Sequence, residues 1–291
     1  MERAQNVTIG VVIRTLNESE LIGRCLEVLR GQRGNHALDI VVVDSGSTDA
    51  TTEIAQSRGA RIVDLPASDF DYSKALNVGI EAARGDLVVS LSAHAIPLDD
   101  GWLAAMLAPF DDDRVAGVSS RQVPWPDAPW QEVHRLRHQF STERCVYTRD
   151  SDYMVFSNAA SAIRRTVWSD FPFTLPAAED LDWAQRVVAA GWLVVYEPGT
   201  AVYHSHDESP RAQALRMMDI NRVGDGRKRT VWRGVREAAG MFFRDSRKIV
   251  ALDEPIRRKT SYLFDLLRMV SYYVRDFSRS GTTAERRRAG T

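Results

Sequence analysis

Residues 40–49 read Ile-Val-Val-Val-Asp-Ser-Gly-Ser-Thr-Asp, four consecutive apolar residues closed by a carboxylate and a turn. Four β-branched residues in a row, without polar alternation, read as a strand buried on both faces. Upstream, the β-branched run Val7–Ile13 reads the same way and passes through Thr15-Leu16-Asn17-Glu18 into Ile22, Cys25, Leu26 and Leu29 at helical spacing. Downstream, Ile54 and Ala55 fall in a helix, residues 60–63 form a third strand, and 74–84 a helix closed by Gly85. Leu87–Leu91, the helix Trp102–Leu107 and the strand Val115–Ser119 continue the alternation. Such a series predicts an α/β fold, a mostly parallel sheet covered by helices on both sides.

Ligands of these sheets bind beyond the carboxyl ends of the strands. There the chain places Thr15 and Asn17 after the first strand, Asp44 and Ser45 after the second, and Ser92–His94 after the fourth. Asp44 reads as an acceptor for a base N–H or a ribose hydroxyl, and Ser47 and Thr48 as a turn and helix cap. The first strand-to-helix turn, Arg14–Glu18, has no glycine, so no dinucleotide fingerprint is present. Walker A, G-x-S-x-G and H-E-x-x-H patterns are also missing.

The chain has 291 residues, 44% hydrophobic and 26% charged, which excludes collagen-like, coiled-coil and wholly disordered classes. Cys25 and Cys145 have no partner spacing, and neither a signal peptide nor an apolar run of spanning length is seen, so a cytoplasmic protein is expected. The net charge of −1 conceals a division at Ser209. Residues 210–291 hold 20 Lys and Arg against 9 Asp and Glu, a net +11, and residues 1–209 a net −12. The expected organisation is a catalytic domain over 1–209 and a basic helical extension over 210–291. The extension's helices, 214–220, 235–249 and 262–277, each carry an apolar stripe and a basic remainder, followed by a frayed end from 280. Packing within the chain or homo-oligomer contact is preferred for them, ahead of peripheral membrane contact. Without a reader fold or an aromatic platform, a nucleic-acid partner is not expected.

Four blocks carry a resemblance: IGVVIRTLNESELIGRCLEVL (9–29), IVVVDSGSTDATTEIA (40–55), FDYSKALNVGIEAARGDLVVSLSAHAIPLDDGWL (70–103) and AAEDLDWAQRVVAAGW (177–192). In that order and spacing they resemble the inverting glycosyltransferases of family 2, which have the GT-A fold, and RQVPWPDAP (121–129) is similar to their rhamnosyltransferase-like branch. The resemblance implies transfer of a sugar from a nucleoside-diphosphate donor, dTDP-rhamnose or a UDP-sugar, to a hydroxyl of a glycan or lipid-linked acceptor of the cell envelope. It places Thr15, Asn17, Glu18 and Asp44 around the nucleoside, Lys74 and Asn77 near the donor, and Asp180 as general base flanked by Glu179.

A divalent cofactor, Mn2+ or Mg2+, is also implied, but His94 stands where the family's acidic metal motif ends. Imidazole suits Mn2+ better than Mg2+, so His94, His204 and His206 are candidates for metal ligation or for direct phosphate contact. Trp125, Trp130, Trp183, Phe171 and Phe173 lie in segments the family uses for the acceptor cleft, with the core preferred for Phe171. Residues 121–152 read as a loop that orders over the donor. Two other readings stay open: a catalytically weakened GT-A domain serving as a scaffold, and a sugar nucleotidyltransferase, which would want a glycine-rich first loop.

Overall fold

In the computed structural model, which describes residues 8–34, 36–126, 128–205, 210–211, 214–215, 218, 231–252 and 255–277, the run at 40–44 ends strand β2 (Ala37–Asp44). β2 pairs in parallel with β1 (Thr8–Thr15) and β3 (Arg61–Asp64), and β1 pairs in parallel with β4 (Leu87–Ser92). The crossovers are α1 (Ile22–Arg30), α2 (Thr51–Ser57) and α3 (Tyr72–Ala82). The continuous apolar runs are explained by their neighbours. Ile9, Val11, Ile13, Ile40 and Val42 join one core cluster with α1, whereas Val12, Val41 and Val43 join the opposite one with Ala75, Leu76 and Ile80 of α3. A Cβ on Gly79 would overlap Val12 and Val43, so α3 lies this close to the sheet only because residue 79 has no side chain.

The rest of the sheet is mixed. After β5 (Ile96–Pro97), α4 (Trp102–Leu107) and the 3-10 turn Ala108–Asp111 come β6 (Val115–Val123), α5 (Trp130–Gln139), β7 (Cys145–Tyr147), β8 (Ala160–Arg164), α6 (Arg165–Asp170), α7 (Glu179–Ala189) and β9 (Leu193–Tyr203). β8 inserts antiparallel between β4 and β6, while β9 runs parallel to β6, giving the order β3-β2-β1-β4-β8-β6-β9-β5 with β7 on β9. The α/β architecture covered on both faces is as expected, but β8 has no counterpart in the sequence reading. Its residues, Ala-Ser-Ala-Ile-Arg, are small and polar enough to hide a fully buried central strand.

Two expectations are corrected. Residues 121–152 are not one irregular loop: they hold the end of β6, α5 and β7. The pattern was hidden because α5 is short and rich in Arg and His. Ser47 and Thr48 do not cap α2, which begins at Thr51 after Ala50 and has no side-chain cap.

The chain divides into two units, Met1–Ala128 with Glu132–Ser205, and Pro129–Gln131 with His206–Thr291. In the second unit, α8 (Val231–Ala251) and α9 (Ile256–Phe277) bury Ala238, Met241, Ile249, Leu266, Met269, Tyr273 and Phe277 in one cluster, and Tyr273 donates its hydroxyl to Glu237 at 2.8 Å. α8 starts earlier than the periodicity suggests, and the 214–220 helix and the tail from 280 lie largely or wholly outside the described residues. Among the described residues no helix is long and apolar enough to cross a membrane.

Candidate active site

The crevice is set by topology. The parallel strands β1, β2 and β4 end at Thr15, Asp44 and Ser92, and the antiparallel β8 begins at the same edge just after Asn158 and Ala159. Ser92 N–H donates to the Ala159 carbonyl at 3.0 Å, so the loops after β4 and before β8 meet there.

The first two loops are laced together. Asn17, in left-handed backbone at φ 55°, accepts from Thr48 N–H at 2.8 Å, and its own N–H donates to the Ser47 hydroxyl at 2.8 Å. Glu18 N–H donates to Thr51 Oγ1 at 2.8 Å and Ser19 N–H to Asp49 at 3.2 Å. Hydrogen bonds from the Thr51 hydroxyl, and from Ser19, hold Asp49 down to about 2. Asp44 is buried and accepts from Gly46 N–H at 3.0 Å, Ser47 N–H at 2.9 Å and the Ser47 hydroxyl at 2.5 Å. Asp44 thus holds the turn that Asn17 grips from the other side. Thr15 is buried at the base of this floor.

Glu18 then reaches the third loop, where its Oε1 lies 2.7 Å from His94 Nδ1. The His94 ring stacks on buried His204 with centroids 4.9 Å apart and an interplanar angle of 11°. His204 is in turn held through Nδ1, 2.8 Å from Gln122 Oε1. His94 and His204 are therefore brought together as the sequence suggested, and His206 lies outside the described residues. A carboxylate behind the ring is the support a metal-ligating histidine commonly has. Among the described residues, however, no three His, Cys, Asp or Glu side chains assemble into a metal-holding group, and the Asp44 carboxylate is engaged by its own turn. Among the described residues the donor set therefore does not by itself amount to a metal site.

Across the Ser92–Ala159 junction sits the acidic pair. Ala178, in left-handed backbone at φ 56°, turns the chain into α7 and puts Glu179 and Asp180 in its first turn, where the helix dipole favours negative charge. Asp180 accepts from Leu181 N–H at 2.8 Å and Asn158 N–H at 3.4 Å, and Glu179 accepts from Asn158 Nδ2 at 3.4 Å. Burial, with the charge of Asp180 beside it, pushes Glu179 up to about 7, and burial also raises Asp180. Glu179 is only 4% exposed, whereas Asp180 keeps part of its surface open.

Arg14 opposes them. It lies in phase with Val12 on β1, so its side chain leaves the sheet on the face of α3 and α7, where Nη1 lies 3.5 Å from Glu179 Oε1 and the guanidinium lies 5.0 Å from the Tyr72 ring centre. Arg14 Nε and Nη1 make no hydrogen bond among the described residues. The sequence reading missed Arg14, Asn158 and Gln122 as site residues. A cation on the buried phase of an apolar strand was the available signal for Arg14, the RQVPWPDAP segment was the signal for Gln122, and nothing local marked Asn158.

Other expected residues do different work. Asn77 donates to the Phe173 carbonyl at 2.8 Å and accepts from Trp168 Nε1 at 2.9 Å and Phe173 N–H at 3.2 Å, so it fastens the segment before α7 instead of facing a donor. Asn77→Ala should cost about 2 kcal/mol in urea denaturation, because it leaves three partners unpaired. Lys74 is half exposed, 3.9 Å from Asp69, on the first turn of α3, whose N-cap is Asp71. Trp183 and Phe173 are not cleft residues: both are buried in the core, where Trp183 packs on Phe156 and Phe173. Phe171 packs against the same cluster. Trp130 is core of the second unit, stacked on Tyr262, and Trp125 lies between Tyr203 and Arg24.

A family model described as glycosyl transferase family 2 matches residues 10–171, more than half of the chain. The chain belongs to that family. This family 2 glycosyltransferase is 30% identical over 195 residues to the O-antigen chain rhamnosyltransferase WbaN of Salmonella anatum, a match covering 64% of this chain and 62% of WbaN. It is 28% identical over 222 residues to the O-antigen chain rhamnosyltransferase RfbN of Salmonella typhimurium, covering 72% and 70% of the two chains. The family 2 fold is shared with the mannosyltransferase PcManGT from Pyrobaculum calidifontis, solved with GDP-Man and Mn2+, at a TM-score of 0.58, 19% identity and coverage of 99% and 80%.

Proposed function

We propose that this family 2 glycosyltransferase transfers a sugar from a nucleoside-diphosphate donor to a hydroxyl of a glycan or lipid-linked acceptor of the cell envelope, in the cytoplasm, with inversion at the anomeric carbon. The observation that carries the reading is the Glu179–Asp180 pair at the start of α7, beside the Asn158–Ala159 end of the crevice, with Asp180 partly buried and Glu179 buried beside Arg14. A general base has to reach its substrate, and of the two residues Asp180 is the less buried. Asp180 takes the proton of the acceptor hydroxyl as that oxygen bonds to the anomeric carbon. The bond from that carbon to the donor phosphate oxygen breaks, and its electron pair leaves with the nucleoside diphosphate. Lys74 and His94 supply cationic and hydrogen-bonding character for the departing phosphates, Thr15, Asn17 and Asp44 form the nucleoside floor, and Glu179 positions the base.

The rhamnosyltransferases WbaN and RfbN make dTDP-rhamnose the first donor to try. Calorimetric titration with UDP, dTDP and GDP, each with Mn2+ and again with chelator, should give one saturable response, at dTDP. Persistence under chelator would assign the phosphate contacts to the side chains, and its loss would assign them to a metal. Silence across the panel would overturn the donor assignment.

A further inference from the structure

α8 has two apolar faces. Ala238, Met241 and Ile249 are buried against α9, and on the other side Trp232, Val235, Phe243 and Val250 project at spacings of 3, 8 and 7 residues with exposures of 83%, 37%, 64% and 63%. These spacings keep the four side chains on one sector of the helix. Ile256, at the start of α9, is 78% exposed. An apolar stripe of this size on a soluble protein marks an interaction surface.

The charges beside the stripe indicate what it meets. Arg236 and Arg247 are exposed along its border, and α8 and α9 together carry ten Arg and Lys against four acids. The two acids of α8 are already matched within the second unit: Glu237 by Arg233 at 2.8 Å and by the Tyr273 hydroxyl, Asp245 by Arg244 at 3.1 Å and Lys248 at 3.7 Å. A two-fold contact between copies would set the Arg236 and Arg247 borders against each other with no acid of α8 to neutralise them. An anionic bilayer surface offers apolar depth for Trp, Phe and Val and counter-charge for the arginines.

We propose that the outward face of α8 docks on anionic phospholipid, the helix lying in the plane of the interface over its length of about 30 Å. This assignment is independent of the catalytic reading. The test is co-sedimentation of the full chain with vesicles of phosphatidylglycerol and phosphatidylethanolamine, and with phosphatidylcholine vesicles, at low and high salt. The chain should pellet with the first and not the second, and less at high salt. The triple variant Trp232→Ser, Phe243→Ser, Val250→Ser should lower the partition roughly tenfold or more. The pair Arg236→Gln, Arg247→Gln should flatten the salt dependence, with helical circular dichroism unchanged in both variants. Failure to pellet with anionic vesicles, or unchanged pelleting of both variants, overturns the proposal. So does a dimer in light scattering that the triple variant abolishes without any vesicle binding, since a second copy would then cover the stripe.

Discussion

Asp180→Asn should lower turnover about 10³-fold while leaving nucleotide binding within a factor of about two, because general-base catalysis contributes 10²–10⁴-fold and the residue makes its main contribution as the proton moves. The substitution keeps the shape and the acceptor oxygen that takes Leu181 N–H at 2.8 Å, so the start of α7 is retained. Burial raises the pKa of Asp180, which sets the acid limb of the pH–rate profile above the ordinary carboxylate range. Single-turnover kinetics on the donor identified by titration, across pH 4 to 9, would check both statements. A variant that turns over within tenfold of the parent would remove Asp180 as the base, and loss of nucleotide binding would reassign it to the donor site.

Glu179→Gln should stabilise the protein at alkaline pH and change little in acid. The group stands at about 7 in the folded chain against an ordinary value of 4.5, with burial the main cause and the charge of Asp180 adding to it. Below the unfolded value the acid is protonated in both states and its contribution is fully present. Between 4.5 and about 7 the folded chain holds the proton that the unfolded chain has released, so stability falls as pH rises. At about 1.4 kcal/mol per pH unit, the loss by pH 8 is on the order of 3 kcal/mol, in which the attraction of Arg14 for the ionised carboxylate is already included. Urea denaturation of both proteins at pH 5 and pH 8 measures it. Parallel pH dependences would mean that Glu179 titrates normally and that the site is wetter than its 4% exposure indicates.

The two predictions rest on residues of different legibility. Glu179 and Asp180 were readable as a pair opening a helix, because acids in a first turn follow a local rule. How deeply each is buried and what each accepts from was not readable, since that depends on Ala178 in left-handed backbone and on Asn158, a residue 21 positions from Glu179. Asn77 shows the same limit. Its position in the third block suggested the donor, but its amide is engaged by Trp168 and Phe173, 91 and 96 residues away. The His94–His204 stack was half legible: both rings were candidates, but the Glu18 and Gln122 partners that orient them come from the loop after β1 and from β6.

By itself the sequence determined the parallel half of the sheet, the family and the edge where chemistry belongs, because burial on two faces writes itself as unbroken β-branched runs, and each strand-end loop follows its strand directly. Tertiary structure alone decided the insertion of β8, the burial of the Glu179–Asp180 pair, the placement of Arg14 against them and the second apolar face of α8. Each of these is a relation between segments distant along the chain. A side chain's partners, its desolvation and its access to solvent are properties of the packed assembly, and local periodicity carries no record of them.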